Sequence, residues 1–130
     1  MSTNRQNISS NAKWEEMFGY SRAVRIGNLI EVSGTASVDG GRVVGLNDVY
    51  VQTKFIIKKI KKALNEAGAK LTDVIRTRIY VTDISLQNEV GRAHAESFRE
   101  IKPATSMVEV KALVLPELLV EIEATAFLQN

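Results

Sequence analysis

The spacing of apolar residues along the chain predicts two amphipathic helices. The first begins after Asp48, a favourable N-cap, and ends at Gly68, where a C-terminal cap is expected. The second begins near Ser85 and ends before Pro103, whose ring cannot continue a helix. The apolar stripes comprise Val49, Ile56, Ile60, Ala63, Leu64 and Ala67 in the first helix and Leu86, Val90, Ala93, Ser97 and Ile101 in the second. Each helix therefore has one face to bury.

Alternation of apolar and polar residues predicts the strands. Gly27-Asn28 separates two apolar runs and predicts a tight hairpin, and Asp39-Gly40-Gly41 predicts a turn before a short strand at 42–44. Longer strands are predicted over residues 73–82, 105–110 and 118–128. The order of these elements favours an α+β fold, with one mixed six-stranded sheet and both helices on one face.

One sheet face would then carry no helix, and its side chains are mixed in character. The predicted residents of this helix-free face are Glu31, Ser33, Val74, Arg76, Arg78, Tyr80, Met107, Glu109, Glu121, Glu123 and Phe127. Apolar residues among arginines and glutamates would leave an exposed patch on a single subunit, which favours packing against copies of the same chain. The alternative is an ordinary antiparallel face in contact with water.

Composition limits the classes of protein to which the chain can belong. The 130 residues suit a single domain over 13–130, preceded by a flexible polar arm over 1–12. The absence of cysteine excludes disulfides and thiolate chemistry, and one histidine leaves few zinc geometries. No apolar run approaches the roughly 20 residues that cross a bilayer. We therefore expect a cytoplasmic protein with no membrane partner.

The charge balance argues against a nucleic-acid partner. Seventeen basic residues face 15 acidic ones, for a formal net charge of +2. The densest basic cluster, residues 54–62, interleaves lysines with isoleucines and is typical of the solvated side of an amphipathic helix. A phosphate-binding stripe is the weaker interpretation.

The chain resembles the Rid (YjgF) family of reactive-intermediate deaminases in three stretches, which are GYSRAVRIGNLIEVSG, DVYVQTKFIIKKIKKALNEAGAKLTDVIRTRIYVTDI and PATSMVEVKALVLPELLVEIEATA. These cover nearly the whole chain after residue 18. The resemblance implies a chorismate-mutase-like subunit and a homotrimer with ligand sites between subunits. It also implies hydrolysis of small enamines and imines to a carbonyl compound and ammonia, with no metal or organic cofactor.

The resemblance also assigns site residues. Family members hold the substrate carboxylate with an arginine in a P-A-R-S motif, and Thr105 occupies that position here. Loss of such an anchor should cost an acid substrate on the order of 1.5–3 kcal/mol of binding, so we expect an altered substrate preference. Tyr20 and Ser33 match substrate-binding positions. Glu121 matches the pocket carboxylate and is the candidate catalytic acid–base group.

Each assignment has a structural alternative. Tyr20 would pack at a strand entrance, Ser33 would bond to backbone, and Glu121 would pair with Arg76 or Arg78 across the sheet. The sequence leaves both interpretations open.

Arg92 and His94 on the second helix depart from the family pattern and offer a way to rebuild an anion site from a new direction. Otherwise, His94 covers a helix edge or subunit seam and Arg92 is a solvated helix residue.

Three functions remain in competition. The first is an imine deaminase with altered substrate choice. The second is a non-catalytic trimer that binds a small metabolite, which the missing arginine favours. Endoribonuclease activity ranks last, because the chain has neither a histidine pair nor a basic stripe with interleaved aromatic residues.

Overall fold

The computed structural model describes residues 4–129 as an α+β fold. The strands are β1 Arg5–Ile8, β2 Ala23–Ile26, β3 Leu29–Ala36, β4 Val38–Asp39, β5 Arg42–Val43, β6 Val74–Val81, β7 Ala104–Glu109 and β8 Val120–Phe127. The helices are α1 Lys13–Phe18, α2 Val49–Glu66 and α3 Gln87–Phe98, with short 3₁₀ turns at Leu71–Asp73 and Ile84–Leu86. None of the helices in residues 4–129 has the length and apolar character of a membrane span.

Six strands form one mixed sheet in the order β1-β2-β3-β8-β6-β7, in which only β6 and β7 run parallel. This confirms the predicted fold class. The predicted short strand at 42–44 is not its sixth member, however. Arg42 and Val43 pair instead with Asp39 and Val38 in a separate two-stranded ribbon, because the glycine turn folds them back locally.

The sixth strand comes from the segment expected to be a flexible arm. Residues 5–8 pair antiparallel with β2, and Ile8 is only 6% exposed, as part of the core. The expectation is therefore corrected for these residues. The sequence RQNI contains a single apolar residue, so it shows no alternation from which a strand could be predicted. This edge strand forms because it pairs with β2. Residues 1–3 lie outside the described residues, and the single domain over 13–130 stays a prediction.

The two long helices lie on one face of the sheet, as predicted, and their apolar stripes form the core with it. The Asp48 side chain accepts a hydrogen bond from the Val51 amide and caps α2, which buries Ile56, Ile60 and Leu64 completely. The second of the two predicted helices is α3, and it ends at Phe98, several residues before Pro103, which was expected to end it.

A bulge in β6 reverses part of the predicted side-chain alternation. The pairing of β6 with β8 shifts between Val74 and Arg76. Val74 is therefore 3% exposed in the core, whereas Ile75, predicted to point inward, is 47% exposed. The extra residue of a bulge moves the following side chains to the other face, so Val74 does not belong to the helix-free face.

Met107 and Glu109 were also assigned to the wrong face. The parallel register places Met107 beside Ile79 and Glu109 beside Val81, both of which point toward the helices. Met107 packs against the core, and the Glu109 carboxylate accepts a hydrogen bond from the Ile84 amide at 2.9 Å. The alternation of β7 alone did not fix which face pointed inward.

Candidate active site

A polar network crosses the helix-free face. Glu123 accepts a hydrogen bond from the Tyr80 hydroxyl at 2.9 Å, and its carboxylate lies 3.8 Å from Arg78 Nε. Arg78 also reaches the Thr125 hydroxyl, which donates to Glu31 at 2.6 Å. The carboxylates of Glu31 and Glu123 therefore have partners within the subunit.

Glu121 lies on the same face, two residues from Glu123, and differs from it. Among residues 4–129, no hydrogen bond or ion pair involves the Glu121 carboxylate. The two arginines considered as partners are engaged elsewhere, since Arg78 pairs with Glu123 and Arg76 donates to Ser106 at 2.8 Å. Burial raises the pKa of Glu121 above its ordinary value. A half-buried carboxylate without a partner is suited to exchange protons with a ligand.

A bulge in β3 leaves the space in which the Glu121 carboxylate lies. The pairing of β3 with β8 shifts between Val32 and Thr35, so Ser33 and Gly34 stand at the irregularity. A Cβ atom on Gly34 would overlap Glu121 Oε2 and lie 3.0 Å from its Cδ. Glycine at this position therefore leaves the space that the carboxylate fills.

Ser33 and Tyr20 lie near the same bulge. The Ser33 hydroxyl donates to the Ser21 carbonyl at 2.6 Å, as its structural alternative anticipated, and only its lone pairs remain for a ligand. Tyr20 is 38% exposed, and its ring centroid lies 5.8 Å from the guanidinium carbon of Arg22.

Thr105 and His94 are brought together elsewhere, between the sheet and α3. Thr77 Oγ1 lies 2.7 Å from Thr105 Oγ1 and 3.0 Å from His94 Nε2, and the Thr105 hydroxyl reaches the Pro103 carbonyl at 3.1 Å. Thr105 therefore shares the helix-facing side with Thr77. Within one subunit it does not join Glu121, which is on the helix-free face.

The contacts of His94, Thr77 and Thr105 can all be hydrogen bonds only if the hydrogens point in one direction along the chain. Each hydroxyl has a single hydrogen, so all contacts are satisfied when His94 Nε2–H donates to Thr77, Thr77 to Thr105, and Thr105 to Pro103. The neutral Nε2–H tautomer completes the chain, and burial lowers the pKa of His94.

We expect His94 to make the fold sensitive to acid. The unfolded ring takes a proton below about pH 6.5, whereas the buried ring resists protonation. The free energy of unfolding should therefore be highest above that pH and fall as the pH drops toward the lowered pKa. Thermal melts of the His94→Gln variant between pH 5 and 8 should show a smaller fall than wild type. An equal fall in melting temperature for the two proteins would contradict a neutral, buried His94.

Arg92 does not share the surroundings of His94. Its guanidinium lies 3.0 Å from Glu89 and 3.8 Å from Glu96, and it stacks 4.0 Å above the Tyr50 ring. This network covers the outer surface of α2 and α3. Within one subunit, Arg92 and His94 thus have different partners, and their use as one anion site stays a prediction.

Two residues near Glu121 were missed from the sequence. Gly34 is a glycine inside a strand pattern, a signal that predicts a bulge or a close approach. Arg22 is 7% exposed and donates from Nη2 to the Gly34 carbonyl at 2.8 Å. Nothing in its neighbourhood in the sequence predicts burial, because charged residues are rarely buried.

Comparison with known proteins gives consistent matches. The family profile described as Endoribonuclease L-PSP matches residues 11–128. A RutC family protein of Pyrococcus abyssi is 39% identical over 110 residues, covering 83% of this chain and 85% of the relative. The 3-aminoacrylate deaminase RutC of Acinetobacter baylyi is 34% identical over 108 residues, covering 82% of this chain and 85% of that protein.

Solved structures show the same fold. A crystal structure from Mycobacterium tuberculosis, of a member of the YjgF/YER057c/UK114 family, superposes with a TM-score of 0.88 and 52% identity over 95% of this chain and 99% of that one. The YjgF gene product of Escherichia coli superposes with a TM-score of 0.80 and 28% identity, covering 99% of this chain and 100% of that one.

Proposed function

The chain belongs to the Endoribonuclease L-PSP (Rid/YjgF) family, and from this we propose that it is an enamine/imine deaminase with altered substrate preference. It would hydrolyse small reactive imines to a carbonyl compound and ammonia. The 3-aminoacrylate deaminase among its relatives supports the reaction class. A cytoplasmic location stays a prediction.

The observation that carries this proposal is the state of Glu121. It is the helix-free-face carboxylate that the described residues leave without a hydrogen bond, at a bulge where glycine provides space. A purely structural carboxylate is expected to resemble Glu123, which is paired. The raised pKa of Glu121 brings its proton exchange closer to neutral pH, where a general base is most effective.

The chemistry requires little of the protein. An enamine first tautomerises to the imine, which is then protonated on nitrogen. Ionised Glu121 would accept a proton from water as the water oxygen adds to the imine carbon. The same group would return that proton to nitrogen and then take the hydroxyl proton as the carbon–nitrogen bond breaks. Ammonia leaves with the electron pair of that bond, the carbonyl product forms, and the proton passes to water. Groups at the Ser33–Gly34 bulge would orient the substrate.

We further propose that subunits assemble as a homotrimer through the helix-free face. Large apolar side chains stand exposed on this face, with Leu29 at 41%, Val108 at 47% and Phe127 at 45%. Such a patch on an isolated subunit favours self-association. Although the Thr105 side chain points toward the helices, it is exposed on the edge strand β7, so assembly would also allow it to approach Glu121 of the next subunit.

Substrate preference is expected to follow from Thr105. Replacing it with arginine should restore a charge-assisted anchor for a carboxylate and improve kcat/KM for carboxylate-bearing imines by roughly ten- to hundredfold. Uncharged imines should change little. The two substrate types are compared in one steady-state assay, and equal effects on both would contradict the assignment.

The glycine at the bulge offers a second test. Gly34→Ala should push the Glu121 carboxylate aside and reduce kcat by about tenfold or more, with little loss of stability because a flexible side-chain end moves. Gly91→Ala is the matched control, since a Cβ there meets no atom within 4 Å. Equal activity of both variants would count against the proposed place of the carboxylate.

The direct test generates imines with an amino-acid oxidase and traps those that survive with semicarbazide. Less trapped imine in the presence of the protein supports deaminase activity. The second candidate, a non-catalytic metabolite-binding trimer, is favoured by the threonine in place of the arginine. Metabolite-induced thermal stabilisation without imine hydrolysis would favour that candidate instead.

A further inference from the structure

A buried arginine lies behind the bulge. Arg22 is 7% exposed, and Nη2 donates to the Gly34 carbonyl at 2.8 Å. Among the described residues its Nε has no hydrogen-bond partner, and no carboxylate lies within ion-pair distance. A guanidinium offers five N–H donors, and most buried ones are paired. Among the described residues this buried positive charge therefore has no ion-pair partner.

Gly34 connects this charge to the candidate catalytic group. Arg22 bonds to the Gly34 carbonyl, and Glu121 Oε2 occupies the space that a Cβ atom on Gly34 would need. Opposite charges therefore flank the backbone of one residue. The bulge that holds the carboxylate is itself held by the arginine.

We propose that Arg22 is a positioning residue for Glu121, fixing the bulge against which the carboxylate rests and keeping that carboxylate ionised. This inference rests on the proposed function, in which ionised Glu121 accepts a proton from water. It explains why an arginine is buried with an incomplete set of hydrogen bonds.

The surroundings of Glu121 contain other charged and titratable groups, which differ in their effect on its pKa. Burial raises the pKa of Glu121, the charge of Arg22 opposes this, and Glu123 on the same strand adds to it. From β6, Tyr80 faces Glu121 across the register and donates to Glu123. From α2, the Lys59 ammonium bonds to the carbonyls of Ala36 and Val38 at 3.1 and 3.0 Å. Of these, Arg22 is the cation that lowers the pKa of Glu121.

The test follows the carboxyl carbon of Glu121 by ¹³C NMR as the pH is changed, with the signal assigned by its loss in Glu121→Gln. Removing the charge should raise the pKa of Glu121 in Arg22→Gln and in Arg22→Met, a second neutral variant in case the first does not fold. Arg22→Lys should stay closer to wild type. Arg25→Gln is the matched control, because Arg25 bonds to the carbonyls of Gly27 and Ala67 instead.

Activity gives a second readout. The acidic limb of the pH–rate profile should move to higher pH in Arg22→Gln, with kcat at pH 6 reduced about three- to tenfold and recovering as the pH rises. An unchanged Glu121 titration in a folded neutral variant would overturn the proposal. The titration needs no turnover, so it decides the role of Arg22 even if wild type hydrolyses no imine and the proposed function fails.

Discussion

Glu121→Gln is expected to slow imine hydrolysis by about 10²–10⁴-fold, the usual contribution of a positioned acid–base group. Glutamine keeps the size of the side chain but neither accepts nor returns a proton at neutral pH. Because the described residues leave Glu121 without a partner, the loss should appear in kcat rather than in folding. The measurement compares single-turnover rates of the two proteins on the same oxidase-generated imine.

Glu123→Gln is the matched control, since the same change is made two residues away on the same face. It removes the negative charge that pairs with Arg78 and weakens the hydrogen bond from Tyr80, so it is expected to affect stability more than rate. Equal rates for Glu121→Gln and wild type would exclude Glu121 as the catalytic group.

Stability gives an independent check on Glu121. The pKa of Glu121 is higher in the folded protein than in the unfolded chain. Its contribution to stability is therefore complete below the pKa of the unfolded state and is lost as the pH rises through the pKa of the folded state. Glu121→Gln should therefore melt about 2 °C higher than wild type near neutral pH and show no such gain in acid. The combination of lost activity and gained stability is typical of functional sites.

The second large effect is expected at Gln52, which lies on α2 and is fully buried. Its amide nitrogen donates to the carbonyls of Gly45 and Glu117 at 3.0 and 3.1 Å, and its oxygen accepts from the Leu119 amide at 2.9 Å. Gln52→Leu keeps the volume but leaves three backbone groups without partners. We expect a loss of roughly 3–4 kcal/mol in the free energy of unfolding.

Urea denaturation checks this value, with Gln87→Leu on the exposed start of α3 as the control. The segment held by Gln52 leads into β8, which carries Glu121. A partly folded Gln52→Leu protein should therefore lose activity as well. A change below 1 kcal/mol would mean that water replaces the amide bonds.

Elements defined by local chemistry were predictable from the sequence. Asp48 caps α2 because its carboxylate reaches an amide three residues later, and Gly27-Asn28 closes the hairpin because glycine adopts a φ of 59° there. These signals lie within a few residues of the structure they specify.

Features that depend on a partner strand were not predictable. β1 has little pattern of its own and is defined by pairing with β2. The two faces of β7 became distinguishable only through its parallel register with β6, which turned Met107 inward. A single bulge at Ile75 was enough to exchange the faces of Val74 and its neighbour.

Some properties of the candidate site were likewise predictable from the sequence, and others depend on tertiary structure. Glu121 was identified through a resemblance carried by the sequence, whereas its lack of a partner is a tertiary property. Arg22 and Gly34 come from a different part of the sheet, and only the pairing of β3 with β8 brings them to Glu121. The separation of Thr105 and Arg92 from Glu121 likewise follows from packing.

Glu121 is expected to remain free for a ligand when subunits assemble. The most direct measurement is a crystal structure of the assembled protein with a short-chain amide, a stable analogue of an imine. We predict that the polar group of the amide lies within hydrogen-bond distance of a Glu121 carboxylate oxygen, beside Gly34. A Glu121 carboxylate paired with an arginine of a neighbouring copy, with the amide bound elsewhere, would contradict the proposed role of Glu121.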